Sequence, residues 1–169
     1  ASLAQIPHYW FEFTIYNQVG GAGTVCFDQL TLTPLPPQDT SPLTVKVNTD
    51  TAPALEQRIA DGKPDTVWYS GNAKTQTVML DLGKVREFGG AKVQWAPGVY
   101  ASRYTVQGSA DGRSWRELRS VTAGNGGTDW LALPETEARY VRFDLQDGPS
   151  FRYGIADITL QPLAFAATQ

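Results

Sequence analysis

At 169 residues the chain has the length of about one domain, and its 27 glycines and prolines with 11% aromatics favour short strands and tight turns over long helices. A formal net charge of −3 gives no electrostatic case for nucleic acid or an anionic membrane. The single cysteine, Cys26, excludes an intrachain disulfide framework, and no apolar run approaches the ~20 residues of a membrane span.

No charged segment leads into an apolar core as a signal peptide would, so a secreted origin implies a mature or excised chain. Residues 1–33 read as a β-hairpin. From Tyr9 to Tyr16, Phe11, Phe13 and Ile15 alternate with Trp10, Glu12 and Thr14. A second strand follows from Thr24 to Thr33, with Phe27 out of phase and a bulge expected near Asp28. An isolated hairpin is marginal in water, so this one is expected either to close an upstream β-sandwich or to cover the following domain. Cys26 is expected to be a structural strand residue.

Residues 34–42 carry four prolines in nine positions and read as a stiff linker. Beyond it, residues 43–169 show short strands about every ten residues. The candidates are Leu43–Val47, Thr77–Leu82, Ala91–Trp95, Tyr104–Ser109, Trp115–Val121, Trp130–Leu133, Arg139–Leu145 and Ile155–Leu160. Turn chemistry separates them at Ala96-Pro97-Gly98, Asp111-Gly112, Gly124-Asn125-Gly126-Gly127 and Asp147-Gly148-Pro149. Only Ala54 to Ala60 has room for a turn or two of helix. This spacing predicts an all-β antiparallel sandwich or barrel.

Catalysis is poorly served. His8 is the only histidine and precedes the hairpin, so no Ser-His-Asp or Cys-His pairing is expected in the main domain. No zinc spacing and no phosphate-cradling glycine loop occurs. Most acids sit in turns, where Asx side chains shape the backbone.

Two other chemistries remain. The stretch Asp61-Gly62-Lys63-Pro64-Asp65-Thr66 folds carboxylates, a hydroxyl and free carbonyls around a Gly-Pro turn, an oxygen-rich setting that suits a hard cation. An ordinary Asx turn without metal is the alternative. Aromatics also lie beside hydrogen-bonding groups in loop segments: Trp95 and Tyr100 flank Ala96-Pro97-Gly98, Tyr69 precedes Asn72, and Phe151-Arg152-Tyr153 follows Pro149. A pyranose has an apolar C–H face and a rim of hydroxyls, which an aromatic plate with polar neighbours matches. Each of these residues could instead anchor its loop.

In order and spacing, Asp61 to Trp68, Asp81-Leu82-Gly83, Ser109-Ala110-Asp111-Gly112-Arg113-Ser114-Trp115 and Ala138-Arg139-Tyr140-Val141-Arg142-Phe143 resemble the discoidin-like, or coagulation factor C-type, domain. Its bacterial members include carbohydrate-binding module family 32. The resemblance runs from about Leu43 to Pro162 and implies a discoidin-like antiparallel β-sandwich of jelly-roll type. It implies that Trp68 and Trp115 are core residues. It also implies a structural Ca2+ held by Asp61, Asp65 and Thr66, closed by an acid in the last strand. Asp157 stands there in place of the more usual Glu, and Lys63 replaces a second acid of the loop. Variable loops at one end would present the sugar site, drawing on Trp95, Tyr100, Asn72, Arg103, Phe151, Arg152 and Tyr153.

The function so implied is noncatalytic carbohydrate binding, as an accessory module of a glycoside hydrolase or polysaccharide lyase in a larger secreted bacterial protein. Its partners would be a glycan or polysaccharide and the neighbouring domains of the same polypeptide. The rivals are a protein or membrane adhesion module and a structural spacer without ligand. The disulfide pair usual in animal adhesion members and a basic patch are both missing.

Overall fold

The computed structural model describes residue 39 and residues 41–48 and 53–166, all within the unit Leu35–Gln169. The expected hairpin at 1–33, with Phe11, Phe13, Ile15 and Cys26, and most of the linker lie outside the described residues.

Seven strands make up the domain: β1 (Thr44–Val47), β2 (Trp68–Tyr69), β3 (Thr75–Trp95), β4 (Arg103–Ser109), β5 (Arg116–Val121), β6 (Thr128–Gln146) and β7 (Gly154–Gln161). Among the described residues, helix is confined to α1 (Pro53–Glu56), a 3-10 turn at Gln57–Ala60 and another at Leu163–Phe165. Pro53 opens α1, where its fixed φ costs nothing and its missing N–H is not needed. All the strand pairs are antiparallel, in the order β2-β7-β3-β6-β4-β5, and β1 also pairs with β3. The expected all-β sandwich is the fold observed. No helix among the described residues is long and apolar enough to cross a membrane.

All eight expected strand segments appear, four of them as parts of the long strands β3 and β6 and four as the shorter β1, β4, β5 and β7, and the merging has a physical cause. In β3 the inward side chains are Val78, Leu80 and Leu82, then Ala91, Val93 and Trp95. The inward set changes from even to odd positions across register shifts between Asp81 and Arg86 and between Phe88 and Gly90. Because side chains alternate with a period of two, such a shift swaps the buried face and bends the strand. β6 behaves alike, burying Leu131 and Leu133, then Thr136 and Ala138, then Val141, Phe143 and Leu145. Each long strand therefore serves both layers.

One continuous core results, with Trp68, Phe88, Tyr104, Phe143, Tyr153 and Ile155 each about 1% exposed or less. Ile59, fully buried, ties the 3-10 turn after α1 into it. Trp68 fills its expected core place. Trp115 does not: it is half-buried, with the Arg142 guanidinium carbon 4.2 Å from its ring centroid. Its ring is covered by a cation and remains outside the core cluster.

Candidate functional site

Backbone hydrogen bonds gather four loops at one end of the sandwich. Ser70 N–H donates to the Tyr153 carbonyl at 2.8 Å, and Gly154 N–H donates to the Val99 carbonyl at 2.6 Å. Ser102 N–H reaches the Asp147 carbonyl at 3.0 Å, Gly124 N–H the Ser102 carbonyl at 2.8 Å, and Trp95 N–H the Gly127 carbonyl at 2.8 Å. Residues 70–74, 96–102, 124–127 and 147–153 thus meet.

Two of the expected sugar-stacking residues occupy the core instead. Trp95 is 5% exposed, and its Nε1–H donates to Asp129 Oδ2 at 2.8 Å. The Tyr104 hydroxyl donates to the same oxygen at 2.6 Å, and the two rings meet edge-on with centroids 5.5 Å apart. Burial, then the bond to Asp129, pushes the Tyr104 phenol far above its ordinary pKa. Tyr153 is 1% exposed, belongs to the core cluster and donates its hydroxyl to the Lys74 carbonyl. Burial, then the charge of Asp147, raises its pKa as well. Neither ring offers a free face. Both are corrected from binding plates to packing residues because each polar tip finds an internal partner, which lets the ring go inside.

The remaining expected residues do lie on or near the surface. Tyr100 is half-buried and packs against the core. Asn72 is exposed. Arg103, exposed at the start of β4, forms an ion pair with Asp147, whose φ of 47° places a non-glycine residue in the left-handed region. Phe151 is 80% exposed and Arg152 is exposed beside it.

Tyr69, noted in the sequence as the aromatic before Asn72 but left out of the expected sugar contacts, also faces outward. It is 41% exposed, and the Arg152 guanidinium carbon stands 4.7 Å from its ring centroid. The register Tyr69↔Gly154 sets this orientation, since the preceding Trp68 then turns into the core. Gly154 makes room: a Cβ there would come 2.9 Å from Tyr69 Cε1, 2.8 Å from Ala96 Cβ and 2.9 Å from Val99 Cγ2. The sequence signal that could have found Tyr69 is the alternation Trp68-Tyr69, one in and one out.

The oxygen-rich loop lies at 61–66. Gly62 adopts φ +71°, a left-handed conformation that curls the loop. Asp61 Oδ1 accepts from Lys63 N–H at 2.9 Å, and the Thr66 hydroxyl lies 2.9–3.0 Å from both Asp61 carboxylate oxygens and 2.9 Å from the Lys63 carbonyl. Gly62 N–H donates to Asp157 Oδ1 at 3.3 Å, and Asp157 Oδ2 accepts from the Thr159 hydroxyl at 2.6 Å. The structure therefore brings Asp61 and Thr66 together and ties their loop to Asp157 in β7. Asp65 is exposed and bonded to none of them. Among the described residues no three Asp, Glu, His or Cys side chains converge as a metal-holding group.

The chain belongs to the F5/8 type C domain family, whose model matches residues 44–158. Solved structures with the same fold include chitosan-binding module 1 of a chitosanase/glucanase from Paenibacillus sp. IK-5. It is 26% identical, with a TM-score of 0.65 over 70% of this chain and 94% of that one. Module 2 of the same enzyme, solved with chitotriose, is 23% identical with a TM-score of 0.65, covering 71% and 96%. The family 32 carbohydrate-binding module of C. perfringens NanJ, solved with galactose, is 17% identical with a TM-score of 0.63, covering 71% and 93%. No curated protein sequence matches the chain.

Proposed function

We propose that this domain is a noncatalytic glycan-binding module, an accessory to a glycoside hydrolase or polysaccharide lyase within a larger secreted protein. The observation that carries the reading is the loop-end surface of Tyr69 with Arg152 over its ring, beside the 80% exposed Phe151 and the exposed Asn72. Aromatic faces take the C–H side of a pyranose, and guanidinium and amide groups take its hydroxyls. The similar modules solved with chitotriose and with galactose support this reading. Such an open surface buries few sugar atoms, so single-site affinity is weak, and tethering to a catalytic domain supplies effective concentration. A glycan array probed with the full chain tests it: binding to a defined family of glycans is expected, and a blank array opposes it.

A hard cation, Ca2+ for preference, is proposed at the 61–66 loop. The donor chemistry fits: the Asp61 carboxylate, the Thr66 hydroxyl and the Lys63 carbonyl are already neighbours, and Asp157 adjoins the loop. With so few carboxylates, backbone carbonyls would supply most ligands. The ion would pin the loop to β7.

Phe151 also favours a second reading. An exposed aromatic tip beside an arginine suits insertion at a membrane surface as well as a sugar. Sedimentation with liposomes separates the two: the glycan reading expects the protein to stay in the supernatant.

A further inference from the structure

Beside the gathered loops, β6 leaves one edge open. Over Thr128–Gln146 it pairs with β3 on one side, but β4 covers its other side only from Tyr140 to Gln146. Residues 128–133 thus have no strand paired on their second edge among the described residues, and a gap there is shared with residues 119–125 of β5 and the loop after it. That gap is a groove of about 360 Å³, lined by Arg119, Thr122, Asn125, Thr128, Asp129 and Trp130 among others. The volume falls in the ~300–1,000 Å³ range of small-molecule clefts.

Among the described residues, Trp130 is the largest exposed aromatic on a strand, at 58%. Two neighbours hold it in place. Lys92, its cross-strand partner, sets its ammonium 5.6 Å from the ring centroid, and Phe165 lies 6.0 Å away at 41°. Phe165 in turn lies over Gly90, where any Cβ would stand 2.3 Å from Phe165 Cδ1. The ring is therefore contacted by Lys92 and Phe165 yet keeps more than half of its surface exposed.

We infer that this groove is a second saccharide subsite, with a pyranose laid on Trp130 and its hydroxyls met by Arg119, Asn125, Thr128 and the open β6 edge. The chemistry selects an uncharged sugar. One guanidinium and one carboxylate line the groove, so no net charge draws an ionic ligand, and the rest of the polar lining is hydroxyl and amide. Asp129 is already engaged through Oδ2 with Trp95 and Tyr104, which fixes the groove wall. An extended peptide added to the open edge is the competing occupant. The short free edge and the polar, glycine-containing wall favour the sugar over a peptide, which needs a longer strand and side-chain pockets. This subsite shares no side chain with the Tyr69–Phe151 surface, and its Asn125 lies on a neighbouring loop of the same end.

The test is an NMR titration of the full chain with maltotriose, cellotriose, N-acetylchitotriose and lactose at millimolar concentration, and separately with a short polyvaline-type peptide. At least one of the four sugars is expected to shift the Trp130 indole and the Asn125 and Thr128 amides saturably. The variant Trp130→Ala, at an exposed position, should keep the spectrum of the fold and lose those shifts, while Phe151→Ala should retain them. The subsite is overturned if no sugar moves these resonances, if Trp130→Ala leaves the Asn125 and Thr128 shifts intact, or if only the peptide moves them. Failure at the loop end alone would show as missing shifts around Tyr69 and Phe151 with the Trp130 set preserved.

Discussion

The Arg152 guanidinium carbon stands 4.7 Å from the centroid of the Tyr69 ring, joining the end of β2 to the loop before β7. Both residues remain exposed, and they flank the turn that ends in Gly154. A cation over a ring at an exposed site contributes only about 0.5–1 kcal/mol. Its larger effect is to orient the plate, so the relationship belongs to recognition more than to stability.

Asp129 links two buried donors, Trp95 Nε1–H and the Tyr104 hydroxyl, through a single oxygen. Asp129→Ala orphans both, at about 1–3 kcal/mol each. Thermal or urea unfolding should register that loss. The double variant Asp129→Ala/Tyr104→Phe should recover part of it, because one orphan is removed; no recovery would mean that the pairing matters less than the packing.

Gly154→Ala places a Cβ under 3.0 Å from Tyr69, Ala96 and Val99 at once. Two of those contacts are with short, packed side chains that cannot swing away. Overpacking of this kind costs about 1–3 kcal/mol, and Tyr69 must move with the strain. Melting temperature and the Tyr69 ring resonances should both change; an unaltered Tyr69 would show that the glycine does not set its position.

The pH dependence follows from groups on both sides of neutrality. Backbone N–H groups of Ser114 and Arg113, with the Ser109 hydroxyl, hold the Asp111 pKa down to about 2 from an ordinary 3.8. Hydrogen bonds from Arg139 lower that of Asp81. Depressed carboxyls give stability that is complete above the unfolded value and lost as pH falls through the folded one. Melting temperature should therefore hold down to about pH 4 and then drop toward pH 2, with a shallower acid limb for Asp111→Asn. Raised phenols act in the opposite direction. Tyr104 and Tyr153 favour the folded state below their ordinary pKa of 10.0, and that stability declines as pH rises beyond it. Tyr104→Phe should flatten the alkaline limb.

If the 61–66 loop holds calcium, the ion stabilises the folded state by mass action, about 2.7 kcal/mol at a hundred times Kd. Added calcium should raise the melting temperature, a chelator should reverse the rise, and Asp61→Ala should abolish it. Superimposable melts with calcium and with chelator would remove the cation from the account.

Much of the architecture could be read from residue order. Val141, Phe143 and Leu145 alternate cleanly and are buried as alternation requires. The joining of 77–82 with 91–95 could not be read, because the register shifts that merge them leave only a broken period in the sequence. At the site, Trp95 and Tyr153 looked like Phe151: aromatics beside turns. What separates them is a distant partner, Asp129 for Trp95 and the Lys74 carbonyl for Tyr153, the latter 79 positions away. A buried hydrogen bond over that span is not a local property. Tyr69 was noted as a loop aromatic but not placed in the site, although the alternation Trp68-Tyr69 carries its outward orientation, which the pairing opposite Gly154 fixes.

The central claim is that Tyr69, Phe151 and Arg152 form a glycan-binding surface on a fold that does not need them. The direct measurement is a calorimetric or NMR titration of a glycan identified on the array against the full chain and the variants Tyr69→Ala, Phe151→Ala and Arg152→Ala. The account predicts saturable binding by the parent chain, loss of at least ~10-fold in affinity in Tyr69→Ala and Phe151→Ala, as for a central aromatic anchor, and little change in their melting temperatures. Equal affinity in all four proteins would contradict it.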